Sequence, residues 1–152
     1  MQAEDLLREY LPTKKVMQLA TSAGDQPYAC NIHYYSDEDL NFYWRSTLAR
    51  RHSREIEKNP KIAVTILVHE NTPAENFVIG VTVVGTAELI GQRIDDQIGV
   101  AYIQKLGLKP ELLTAIASGK DPHRFYKLKP TKIVLFDNKN FPEGPRQELE
   151  LT

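Results

Sequence analysis

The residues whose types and spacing point to chemistry lie in the stretch FYWRSTLARRHSREIEKNP, residues 42–60. Ser46 and Thr47 bring two hydroxyls to a turn, and Arg50, Arg51 and His52 follow in the opening turns of a helix. A helix N-terminus carries partial positive charge and unpaired N–H groups, so Asp or Glu is its usual company. Three consecutive basic side chains oppose that preference. They fit an anion held jointly by backbone N–H groups, hydroxyls and cations, and a phosphate is the obvious one. The same residues also fit a solvated helix face, because Arg51 and Glu55 stand at ion-pair spacing. The sequence leaves both readings open, and Ser46 and Thr47 favour helix initiation under either.

No other constellation competes. His33, His52, His69 and His123 lack metal-ligand spacing, so no metal site is expected. Cys30 reads as a buried small hydrophobe. Trp44 reads as core or as a pocket wall, and the core is the commoner fate of a strand aromatic. His33 is the one histidine retained as a proton donor. No acid–base pair or nucleophile stands out, so the catalytic residues are unknown.

The elements that must position these groups follow from periodicity. Residues 3–11 form a short amphipathic helix ended by Pro12. Strands are expected over 16–21, 28–35 and 40–45, joined by the turn 24–27 and the acidic turn 37–39, which makes an antiparallel meander. The helix after Thr47 stops at Asn59-Pro60. Residues 61–69 are apolar on both faces and read as a central strand. Residues 77–90 are rich in Val and Thr and interrupted by Gly80 and Gly85, as barrel closure requires. Helices are expected over 91–106 and 110–118, a strand over 132–136 and an edge strand over 147–151. The result is mainly β with added α: a small antiparallel barrel of about six strands with outer helices. The first connections are too short for parallel crossovers.

Composition sets the outer limits. The chain has 152 residues, which fits one domain over 1–152. A net charge of −1 argues against nucleic acid as a partner. One cysteine excludes an internal disulfide, and no apolar run reaches the length of a membrane span, so a cytoplasmic location is expected.

The order of these features resembles the FMN-binding split-barrel proteins of the pyridoxamine 5′-phosphate oxidase-like superfamily. The resemblance covers about residues 16–90. It rests on the aromatic strand Phe42-Tyr43-Trp44, the basic turn, the helix closing on Glu57-Lys58-Asn59-Pro60, and the signature Val84-Gly85-Thr86-Ala87-Glu88-Leu89. By position, the family's Ser-Arg-Lys phosphate clamp falls on Arg50, Arg51 and His52. Arg50 replaces the hydroxyl residue and His52 replaces the lysine; Ser46 and Thr47 are left to supply hydroxyls. The flavin-edging strand falls on Ala29, Cys30, Asn31 and Ile32, with Asn31 as its polar contact, and the arginine that usually opens it is missing. The Arg-Leu-His-x-Arg substrate segment of true pyridoxamine-phosphate oxidases is also missing, so vitamin B6 oxidation is not expected. The resemblance implies FMN bound at a homodimer interface and a flavin-dependent oxidoreductase acting on a small molecule. Two alternatives stay open: a non-catalytic flavin, deazaflavin or haem protein, and a flavin-free barrel that binds a phosphorylated ligand.

Overall fold

The structure is a computed structural model that describes residues 1–151. Helix α1 (Ala3–Tyr10) leads into β1 (Val16–Ala23), β2 (Gln26–His33), β3 (Tyr35–Ser36) and β4 (Phe42–Thr47). Helix α2 (Arg51–Lys58) follows, then β5 (Lys61–His69) and β6 (Ile79–Gly91). Helices α3 (Asp96–Leu106) and α4 (Glu111–Ala117) precede the long β7 (His123–Asp137) and β8 (Arg146–Glu150).

All strands pair antiparallel in one sheet, in the order β2-β1-β5-β6-β7-β4-β3, with β8 also on β7. The two ends of that path, β2 and β3, are separated in sequence only by Tyr34. One extended segment therefore joins both edges and curls the sheet into a split barrel. Tyr34 secures the junction: it is fully buried, its N–H donates to the Lys15 carbonyl at 3.0 Å, and its hydroxyl donates to the Leu11 carbonyl at 2.7 Å.

Two apolar clusters form. The main core lies inside the curl, where Met17, Leu19, Val64, Val83, Ile133 and Leu135 meet Phe42 and Trp44, and α1 adds Leu6 and Leu7. The second lies outside, where Tyr43 and Phe125 are covered by Tyr102 of α3 and Ile116 of α4. Burying these faces supplies most of the driving force for folding.

The antiparallel barrel with outer helices is as expected, with eight strands among the described residues where about six were expected. Strand β3 is only two residues long, and β7 begins at His123, nine residues before the expected strand. Pro130 hid that extension. It lacks an N–H, and the β6–β7 register shifts at this point, from Val84↔Lys132 to Gly85↔Pro130, so no ladder donor is needed. Gly85 permits the close approach, because a Cβ there would lie 2.3 Å from the Lys129 carbonyl oxygen. Helix α3 starts at Asp96, five residues later than expected, where Asp95 Oδ2 accepts from the Ile98 N–H at 3.1 Å.

Candidate functional site

The site forms where β4 runs into α2. Ser46 and Thr47 are the last residues of β4, not a helix cap. The helix is capped by Arg50, which has extended backbone and makes no side-chain capping bond, and the first turn holds no acidic residue. The first N–H groups of α2 thus have no side-chain acceptor, and a cationic residue stands at the cap.

The three basic residues of this turn point to different fates. Arg50 is exposed and makes no ion pair among the described residues. Arg51 donates to Glu55 Oε2 at 2.9 Å and lies over the Tyr28 ring at 4.2 Å. The i,i+4 pair seen in the sequence therefore forms, and Arg51 is held across β2. Glu55 is itself buried, and its other oxygen accepts from Thr21 Oγ1 at 2.7 Å. The bonds from Arg51 and Thr21 hold its carboxyl below the usual range.

His52 turns inward and is 9% exposed. Its Nε2 is 2.8 Å from Ser46 Oγ, and its Nδ1 is 3.6 Å from Cys30 Sγ. Ser53 Oγ donates to Ser46 Oγ at 3.3 Å and completes a small buried network. Burial lowers the His52 pKa, and repulsion from Arg50 adds to this. His52 is accordingly a neutral strut between β2, β4 and α2. Burial also pushes the Cys30 thiol up, which makes it a weak nucleophile.

The four residues of the expected flavin-edging strand divide by pleat. Cys30 and Ile32 pack against the main core, while Ala29 and Asn31 are exposed on the outer face. Asn31 Oδ1 accepts from Gln18 Nε2 at 2.9 Å, and Gln18 Oε1 accepts from Thr65 Oγ1 at 3.3 Å, so a polar ladder crosses three strands. His33 is exposed on the same outer face. Trp44 belongs to the core: it is fully buried and stacks on Tyr126 with centroids 5.6 Å apart. Positions 42, 44 and 46 of β4 face the barrel interior.

A cavity of about 320 Å³ adjoins the turn, lined by Leu48, Ser53, Ile56, Ala87, Leu89 and Tyr126. It brings the Ala87 signature strand to the same end of the barrel as α2. A wider open groove runs along α2 past Ala23, Arg51, Arg54 and Lys58. Sequence reasoning missed Thr21, Tyr28 and Ser53. Their partners are 34, 23 and 7 residues away, and no local pattern marks such contacts. Among the described residues no cluster of three or more His, Cys, Asp or Glu side chains could hold a metal ion. No helix among them is long and apolar enough to cross a membrane.

Fold and site together define a split barrel with a basic strand–helix turn. Residues 3–137 match the sequence profile described as pyridoxamine 5′-phosphate oxidase, and the chain belongs to that family. Among individual proteins, it is 29% identical to the UPF0306 protein plu4501 of Photorhabdus laumondii over 62 residues, which is 40% of this chain and 43% of that one. The match thus spans less than half of that relative. A haem-binding protein from Mycobacterium smegmatis has the same fold at 16% identity and a TM-score of 0.70, over 99% of this chain and 58% of that one. A FAD-binding protein from Mesorhizobium loti aligns at 21% identity and a TM-score of 0.58, over 88% of this chain and 92% of that one.

Proposed function

We propose that this chain binds FMN, with the phosphate at the turn 46–52 and the flavin along β2, and that it acts as a flavin-dependent oxidoreductase on a small molecule. The observation that carries the reading is the uncapped start of α2. Helix N–H groups without an acceptor, beside an unpaired Arg50, fit a phosphomonoester dianion. Ser46 shapes the turn through His52, and Arg51 adds positive potential from its place on Glu55 and Tyr28. A bound flavin would supply the redox chemistry; the chain supplies placement and electrostatics.

The flavin would sit between two copies of the chain. The outer sheet face carries cross-strand rows with little charge: Ala29, Ala20, Ala63 and Val84 in one, Leu67, Gly80 and Phe136 in another. Leu67, Val84 and Phe136 are each at least 40% exposed there. Apolar residues grouped on one face favour association with a second copy. Val84→Arg with Phe136→Glu is expected to shift the protein to monomer in sedimentation; an unchanged mass would remove this face from the assembly.

Haem is the second reading. The structural neighbours include a haem-binding protein, and exposed His33 offers an imidazole on the face that edges the proposed cleft. Visible absorbance separates the two. Flavin bands retained through gel filtration after adding FMN, and reduced in Arg50→Ala, support the first. A Soret band on adding haemin, lost in His33→Ala, with no retained flavin, supports the second. A protein that retains neither would sink both.

A further inference from the structure

The cavity beside α2 has a mouth and an inner wall of different character. Leu48 and Leu89, 51% and 50% exposed, stand at the mouth with the exposed Glu57. Ser53, Ile56, Ala87 and Tyr126, all buried, form the inner wall. The wall is thus assembled from α2, the far end of β6 and the start of β7. Its polar groups are few. Ser53 Oγ is spent on Ser46 Oγ at 3.3 Å, which leaves the Tyr126 hydroxyl.

Tyr126 is only 2% exposed, and its hydroxyl makes no hydrogen bond among the described residues. Trp44 Nε1 is also without a partner, but it is sealed from solvent, whereas the Tyr126 oxygen is not. The small open part of this side chain therefore includes the oxygen, and the open space that Tyr126 lines is this cavity. The ring cannot easily turn the hydroxyl elsewhere. The strand registers set Tyr126 between Trp44 of β4 and Leu89 of β6, and it stacks on Trp44 with the two planes 9° apart. A hydroxyl held in this way is a preorganised hydrogen-bond donor at the end of an apolar recess. A ligand oxygen that accepts from it satisfies a group the fold leaves unpaired.

The walls select the ligand. A volume of about 320 Å³ is at the small end of ligand cavities. An apolar cavity of roughly 150 Å³ already takes up benzene, so one ring with a short substituent suits this space. The aliphatic walls exclude an ionised ligand, and the Glu57 carboxylate at the mouth opposes an anion. We infer that this cavity is a binding site for a small neutral carbonyl compound, one ring with a short side chain, whose oxygen accepts from the Tyr126 hydroxyl. The inference does not depend on a phosphate at the turn, because none of its contacts uses Arg50, Arg51 or β2.

The test compares acetophenone with α-methylstyrene, in which a CH2 group replaces the carbonyl oxygen. Both are titrated by NMR, without added flavin, against the full chain and its variants Tyr126→Phe and Leu48→Asp. Tyr126→Phe retains the ring stacked on Trp44, and Leu48 is an exposed position, so both substitutions spare the core. One neutral hydrogen bond is worth about fivefold in affinity. Tyr126→Phe is expected to weaken acetophenone by about that factor and to leave α-methylstyrene unchanged. Leu48→Asp is expected to weaken both ligands, since it sets a charge at the mouth. Equal effects of Tyr126→Phe on the two ligands, or none, would overturn the role of the hydroxyl and with it the inference. Binding that ignores Leu48→Asp would place the ligand elsewhere, and a wild-type chain that binds neither would remove the site; each of these outcomes leaves FMN retention to its own test.

Discussion

Strand β4 presents two faces to two environments, and the contrast explains how this end of the barrel works. Phe42, Trp44 and Ser46 face inward; Tyr43, Arg45 and Thr47 face helices α3 and α4 and the start of β7. The inner face grades from a dry aromatic core to the buried Ser46–His52–Cys30 network. The outer face grades from the Tyr43–Phe125–Tyr102 cluster to the half-open Arg45, Asp121 and His123 group. The same residue type therefore behaves in opposite ways on the two sides. A histidine taken from water with two neutral partners is kept neutral, whereas the one at the rim is bonded to the Asp121 carboxylate and one-third exposed. Burial, more than identity, decides which histidine is structural.

Substitutions can break or sharpen this contrast. The largest effect is expected from Trp44→Ala, which empties the inner face and should cost about 4 kcal/mol in denaturant unfolding. A loss under 1 kcal/mol would mean that the inner face is not the stabilising one. His52→Leu should cost about 2 kcal/mol, because Ser46 loses a buried partner. Tyr43→Phe, on the outer face, should cost about 1 kcal/mol by removing the hydroxyl that donates to Asp37 Oδ2 at 2.9 Å. His123→Ala should change stability by no more than about 0.5 kcal/mol, as expected of a rim residue.

The pH dependence sharpens the same contrast. The folded pKa of His52 lies below its ordinary value of 6.5, so the unfolded chain binds more protons in that range. The His52 contribution is complete above about pH 6.5 and is lost as the pH falls through the folded pKa. Glu55 is also lowered, from 4.5, and its contribution is lost at still lower pH. A stability profile should therefore decline in two stages on acidification, and His52→Gln should remove only the first. A first stage that persists in His52→Gln would assign it to another group.

Much of this architecture is legible in the residues themselves. Alternation marks β1 and β2, Asn59-Pro60 ends α2, and the glycine-interrupted run marks β6. The basic turn is visible as an anomaly against the helix dipole, and the Arg51–Glu55 pair is visible as spacing. Less legible are the start of β7, masked by Pro130, and the ties of Arg51 to Tyr28 and Glu55 to Thr21, which cross between strands.

The chain alone determines that a strand meets a helix at a basic turn, because periodicity, breakers and charge order are local properties. It also limits what that turn can do. Successive helix residues are rotated by about 100°, so Arg51 and His52 leave α2 in different directions. Which of them turns inward is decided by packing: α2 lies against β1 and β2, and the face that holds Ser53 and Ile56 takes His52 with it. The pairing of β4 with β7, which sets His123 beside Thr47, joins residues 76 positions apart. Such a contact depends on closure of the whole sheet, and so only the tertiary structure decides it.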